Sequence, residues 1–180
     1  MRRVTAAAGS TLFLGVAPGV VAGVVPWWLT GWHAGYGSPR SAPAVAATIA
    51  GIALVAAAGA VLVPAFARFV REGAGTPAPV APTEVLVVRG LYRHVRNPMY
   101  VAVVTAIAGQ ALVLGRPVLV AYGAAAGAVM AAFARWVEEP SLLRRYGPAY
   151  DAYRRAVPGW LPRRVSPAGW RRGSASPGGR

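Results

Sequence analysis

From Val4 to Trp32 the chain carries no charged residue. An α-helix needs about 20 apolar residues to cross a bilayer, and this run exceeds that length. No other feature constrains the fold as strongly. Backbone N–H and C=O groups in hydrocarbon must be satisfied internally, which a helix does within one segment. A secretory signal would also place Arg2 and Arg3 before an apolar stretch, but its core would cover only about 7–15 residues. Trp27, Trp28 and Trp32 end the run as an interfacial aromatic belt would. The reading is a retained first helix over about 6–30, with Pro18 as a kink.

Three further apolar segments predict helices at about 43–67, 99–115 and 117–136. The last two are joined by a tight Gly115-Arg116-Pro117 turn. Between the second and third lies a loop, 68–98, too polar and too broken by Pro77, Pro79 and Pro82 to span lipid. From Arg135 onward Leu142, Leu143, Tyr146, Tyr150 and Tyr153 interleave with Arg144, Arg145, Arg154 and Arg155. That pattern predicts a C-terminal interfacial segment over 138–164, made of two amphipathic helices broken at Gly147-Pro148. Residues 165–180, rich in Gly, Ser, Pro and Arg, read as a disordered tail. The expected fold is therefore all-α and polytopic, a single membrane-embedded domain over 1–164 with about four transmembrane helices.

Charge fixes the expected orientation. The net charge is +14, and all 19 basic residues are arginine. Such a balance could suggest nucleic acid, but the arginines avoid the apolar segments and cluster beside them, as expected for anionic phospholipid headgroups. With four spans, Arg40 and Arg116 fall on one side and the other 17 arginines on the opposite side. The positive-inside rule then places both termini and the 68–98 loop in the cytoplasm, in a multi-pass protein of the cell membrane. Without cysteine there is no thiol nucleophile, disulfide or zinc-thiolate site. With only His33 and His94, no histidine-rich metal site is expected either.

Chemistry-bearing residues gather in two places. The first is the stretch Arg89 to Tyr100 leading into the third helix. Asn97 suits an N-cap and Pro98 a first helical position. A helix N-terminus favours an anionic group, and Arg96 could bind a carboxylate or phosphate in a fork. Equally, Asn97-Pro98 could only cap the helix while Arg96 meets lipid headgroups. The second place is Glu138-Glu139, whose adjacent carboxylates repel each other at a membrane boundary. They would suit a cationic group or ribose hydroxyls, or could pair with Arg135, Arg144 or Arg145. Gly123 and Gly127 permit close helix packing.

Taken in order, Gly90-Leu91-Tyr92-x-x-x-Arg96-Asn97-Pro98-x-Tyr100, Glu138-Glu139-x-x-Leu142 and Tyr146-Gly147-x-x-Tyr150-x-x-Tyr153-x-x-x-Val157-Pro158-x-Trp160-x-Pro162 resemble the isoprenylcysteine carboxyl methyltransferases and the related phospholipid methyltransferases. The resemblance covers roughly Gly73 to Arg163. It implies a membrane methyltransferase dependent on S-adenosylmethionine, with the cofactor held by Tyr92, Arg96, Asn97, Pro98, Tyr100, Glu138 and Glu139 and a lipophilic acceptor drawn from the bilayer. Arg96 would take the methionyl carboxylate, and a glutamate the ribose or ammonium. Where the family usually has Arg-His-Pro, this chain has Asn97, which cannot take a proton near neutral pH. Asn97-Pro98-Met99-Tyr100 is closer to the phospholipid enzymes and tilts the expectation toward a lipid-like acceptor. The rival expectations are a membrane sterol-type reductase using NADPH, which resembles the same region, and a non-enzymatic protein binding anionic lipid.

Overall fold

A computed structural model describes residues 18–36, 41–72 and 90–161, the side chains of 65–72 excepted. The expectations for residues 1–17, the 73–89 part of the loop and the 165–180 tail lie outside the described residues. A π-helical turn, Val20–Val24, leads into α1 (Val25–Thr30). The long α2 (Ala42–Glu72) carries on past Ala67, through Arg68 and Arg71, with Pro64 inside it. After a 3-10 turn (Gly90–Arg93) come α3 (Pro98–Leu114) and α4 (Pro117–Phe133). A second π-helical turn, Ala134–Glu138, joins α4 to α5 (Glu139–Tyr146), and α6 (Pro148–Ala156) follows. All regular structure among the described residues is helical.

Among the described residues two stretches are long and apolar enough to cross a membrane, Ala42–Pro64 and the continuous helical run Pro117–Tyr146. Val20–Thr30 and Pro98–Leu114 are shorter apolar helices. Ile49, Ile52, Val63, Val120 and Val129 each expose more than half of their surface. A stripe of large apolar side chains on that scale is costly in water and favourable in lipid.

The chain divides into two compact units, one drawn from Met1–Pro82 and Met99–Val129, the other from Thr83–Pro98 and Met130–Arg180. In the first unit small residues set the helix spacing. A Cβ at Gly51 would lie 2.6 Å from the Gly109 carbonyl oxygen, and one at Gly109 would lie 2.8 Å from that of Gly51. Backbone therefore meets backbone where α2 and α3 cross, the close approach that small residues permit between membrane helices. Ala58, Ala102 and Ala106 continue the contact, with Ala22, Val61 and Leu62 packed around them. Gly123 and Gly127 likewise serve contacts within the chain, facing Ile107 and Val104 of α3.

Proline chemistry explains the first π turn. Pro26 has no N–H to give the Ala22 carbonyl, and the Val25 N–H is drawn back to Val20 O. The carbonyls of Val21 and Ala22 therefore lose their usual helical donors. Both are supplied from outside the helix: the Tyr122 hydroxyl donates to Val21 O at 2.8 Å, and Gln110 Nε2 donates to Ala22 O at 2.7 Å. Such repair is what lets a broken helix persist where water is scarce. Gln110→Leu is expected to lower stability by about 0.6–1.7 kcal/mol, the range for single interhelical hydrogen bonds in membranes. Thermal unfolding in detergent checks this. The cost should shrink in a Pro26→Ala background, where a regular helix can satisfy Ala22 O itself.

At the end of α3 the chain is strapped down. The Gly35 N–H donates to Leu114 O, the Tyr36 hydroxyl to Leu112 O, and Arg116 Nε to His33 O. Gly115 has φ 62°, and a Cβ there would lie 2.7 Å from the Tyr36 ring, so this turn needs glycine twice over.

Candidate functional site

The second unit gathers most of the residues singled out in the sequence. Its core is Tyr150, Tyr153 and Val157, with Leu142, Tyr146 and Ala156 packed against it. The Tyr150-x-x-Tyr153 spacing puts both rings on one face of α6. Their centroids are 6.1 Å apart, with the planes tilted by 56°, a favourable aromatic geometry. Arg154 and Arg155 fall on the exposed side. Gly147, at φ 52°, turns the chain between α5 and α6.

Beyond α6 the backbone becomes extended at Val157 and runs beside residues 95–97. The Arg96 N–H donates to Pro158 O at 2.9 Å, and the Asn97 N–H to Gly159 O at 3.2 Å. The Asn97 side chain adds a second bond, Nδ2 to the same Gly159 oxygen. Val95 is buried beside this strap, and the Tyr153 hydroxyl donates to Tyr92 O at 2.8 Å. Two stretches some sixty residues apart are thus laced together.

The π turn Ala134–Glu138 delivers the acidic pair into this arrangement. Pro140 repeats the logic of Pro26: without its N–H, the helix widens and the Glu139 N–H reaches back to Ala134 O. Arg96 Nη1 then meets Glu139 Oε1 at 2.7 Å, with the two side chains only 16% and 15% exposed. Arg154 Nη1 stands 3.9 Å from the other Glu139 oxygen, a weaker, more solvated contact. The Arg96 guanidinium also lies near enough to the Tyr150 hydroxyl to act on it electrostatically. Arg96 Nε is buried and has no protein acceptor. A buried donor left unmade costs about 1–3 kcal/mol, more on a charged group.

Three phenols carry the electrostatic imprint of this packing. Burial pushes Tyr153 well above the usual phenol range, and neighbouring Tyr92 adds to the shift while Arg96 opposes it. Tyr92 is raised by burial of its hydroxyl and then by the Glu138 carboxylate, although 41% of the residue as a whole is exposed. Tyr150 is raised by burial, against the pull of the nearby Arg96 guanidinium. A phenol whose folded value lies above its unfolded one contributes stability that is fully present below about pH 10 and lost as pH climbs through the folded value. The thermal midpoint should therefore stay level to about pH 10 and fall above it. The fall should be smaller in Tyr153→Phe, as a pH series of melts would record.

Of the residues expected to hold a cofactor, Tyr92, Arg96, Asn97, Pro98, Glu138 and Glu139 lie in this unit, and Tyr100 belongs to the other. The two groups assigned to opposite parts of the ligand, Arg96 and Glu139, bond to each other. Sequence reasoning missed Gly159, Tyr150 and Tyr153 as site residues. The two tyrosines carried a signal in their helical spacing; Gly159, beside Val157-Pro158, carried none by itself. Among the described residues no group of three His, Cys, Asp or Glu side chains is placed to hold a metal ion.

The model of one protein family, phospholipid methyltransferase, matches residues 46–149. The chain belongs to that family. The matched stretch takes in α2 to α5, with Arg96, Glu138 and Glu139, and stops just short of Tyr150 and the strap. No curated protein and no solved structure matches the chain. Membership in the phospholipid methyltransferases, together with the apolar helices, makes this a membrane methyltransferase acting on lipid.

Proposed function

We propose that the chain transfers a methyl group from S-adenosylmethionine to a membrane-borne lipophilic acceptor, of the isoprenoid-carboxylate or phospholipid-amine type. The observation that carries this reading is the Arg96–Glu139 pair with its unfilled Arg96 Nε, built from residues of the family's own stretch. A buried guanidinium donor without a protein acceptor fits a carboxylate oxygen of the cofactor. Glu139 holds the guanidinium while doing so. Glu138, near enough to Tyr92 to raise its phenol, takes ribose hydroxyls or the ammonium in this reading. Tyr92, Asn97 and Pro98 frame the Arg96 end, and Tyr100 is retained from the sequence motif. When bound, the cofactor supplies an already activated sulfonium methyl, so the protein needs mainly to align and dehydrate the reactants. A carboxylate acceptor needs no general base, whereas an ammonium acceptor must first lose a proton.

The same reading includes four spans, with both termini on the cytoplasmic side of the cell membrane and the arginines of α5 and α6 facing anionic headgroups. It rests on the 17-to-2 division of arginines. Because the chain has no cysteine, single cysteines can report topology directly. A cysteine at Arg116 is expected to react with an impermeant maleimide from outside the cell, and one at Arg135 only after permeabilisation. The reverse pattern would invert the topology.

Activity is tested by incubating the purified protein with methyl-labelled S-adenosylmethionine and a total lipid extract. Label is expected in the organic phase, in a species whose chromatography identifies the acceptor. Label confined to water with every lipid class supplied would contradict the proposal.

A further inference from the structure

Arg96 is held on several sides. Nη1 is spent on Glu139 at 2.7 Å. The backbone N–H of Arg96 is fixed to Pro158 O. The remaining wall is Gly159: a Cβ there would stand 3.2 Å from Arg96 Nη2 and 3.8 Å from both the guanidinium carbon and Asn97 Nδ2. Glycine at 159 is therefore a matter of room, since its backbone lies outside the left-handed region. Any side chain must push the guanidinium aside by some tenths of an ångström.

We propose that Gly159 is a positioning residue that aims the Arg96 guanidinium, so that its Nε edge is the face that receives an anionic oxygen of the methyl donor. This rests on the S-adenosylmethionine reading above and extends it to a residue beyond the family's matched stretch. The division of labour follows from the fork. A guanidinium binds a carboxylate well only when its donors point at it, and a rotation that spares the charge still breaks the alignment. Gly159 carries no functional group, and its part is to leave Nη2 where the other contacts set it.

The test uses two ligands that differ at the proposed contact, S-adenosylmethionine and its decarboxylated analogue, with the full chain in detergent. Gly159→Ala is expected to weaken S-adenosylmethionine about tenfold, the order for losing one hydrogen bond to a charged group. Binding of the decarboxylated analogue should stay within about twofold of the parent chain, since it has no carboxylate to misalign. Equal losses for both ligands would make the strap a general wall and overturn the inference alone. Failure of the parent chain to bind either ligand would overturn the inference together with the reading it rests on.

Discussion

Replacing Arg96 with alanine is expected to weaken S-adenosylmethionine binding by about a hundredfold or more, while also lowering thermal stability. The binding loss follows from removing the only buried donor among the site residues that lacks a protein acceptor, together with its charge; hydrogen bonds to charged groups contribute about 1.5–3 kcal/mol each. The stability loss has a separate cause. Without Arg96, the Glu139 carboxylate stays 15% exposed and keeps only Arg154, at 3.9 Å. Breaking a fully buried pair costs about 3–5 kcal/mol, and the partial exposure here argues for a smaller figure, about 1–3 kcal/mol. Arg96→Lys separates the two effects. It restores a cation for Glu139 but not a planar fork, so stability should return further than affinity. Calorimetry and melting curves on the three proteins read both quantities. Normal affinity in Arg96→Ala would remove Arg96 from the ligand site.

Gly109→Val is expected to be the most damaging single change in the other unit. A Cβ at Gly109 would lie 2.8 Å from Gly51 O and 3.0 Å from the Val55 nitrogen, both backbone atoms of α2. Backbone cannot swing away as a side chain can, so α2 and α3 must separate along their contact. Overpacking of this kind typically costs about 1–3 kcal/mol, and two further methyl groups should carry it to the upper end. Gly59→Val is the control, because nothing lies within 4 Å of a Cβ there. Yield of folded protein and the thermal midpoint should drop sharply for Gly109→Val and hardly at all for Gly59→Val. Equal behaviour would mean that the α2–α3 crossing does not set the packing of this unit.

The contrast between those two glycines shows what a sequence of this kind can and cannot convey. Apolar run lengths and their punctuation made α2, α3 and α4 legible, since the length of a helix in lipid is a local property of composition. The family match bears out the resemblance carried by the ordered motifs at 90–100 and 138–142. Pairings were not legible. Nothing in the sequence says that Gly51 meets Gly109 while Gly59 faces outward, because glycine looks the same in both settings. The π turns were also missed, though Pro26 and Pro140 were in view. That a proline disrupts a helix is a local fact, but whether the helix kinks or widens depends on donors such as Gln110 and Tyr122 far along the chain. The Arg96–Glu139 bond escaped for a related reason. Each residue was assigned to a ligand on its own chemistry, and the pairing between them appears only once the strap at 157–159 is in place.

The central claim is that the cluster around Arg96 holds S-adenosylmethionine and not a dinucleotide. The most direct measurement is calorimetric titration of the purified protein with S-adenosylmethionine, repeated in the presence of NADPH and on a Glu138→Ala/Glu139→Ala variant. Saturable binding that NADPH leaves untouched and the variant loses is the predicted result. Saturable NADPH binding with none for S-adenosylmethionine would contradict the account and move the site to reductase chemistry.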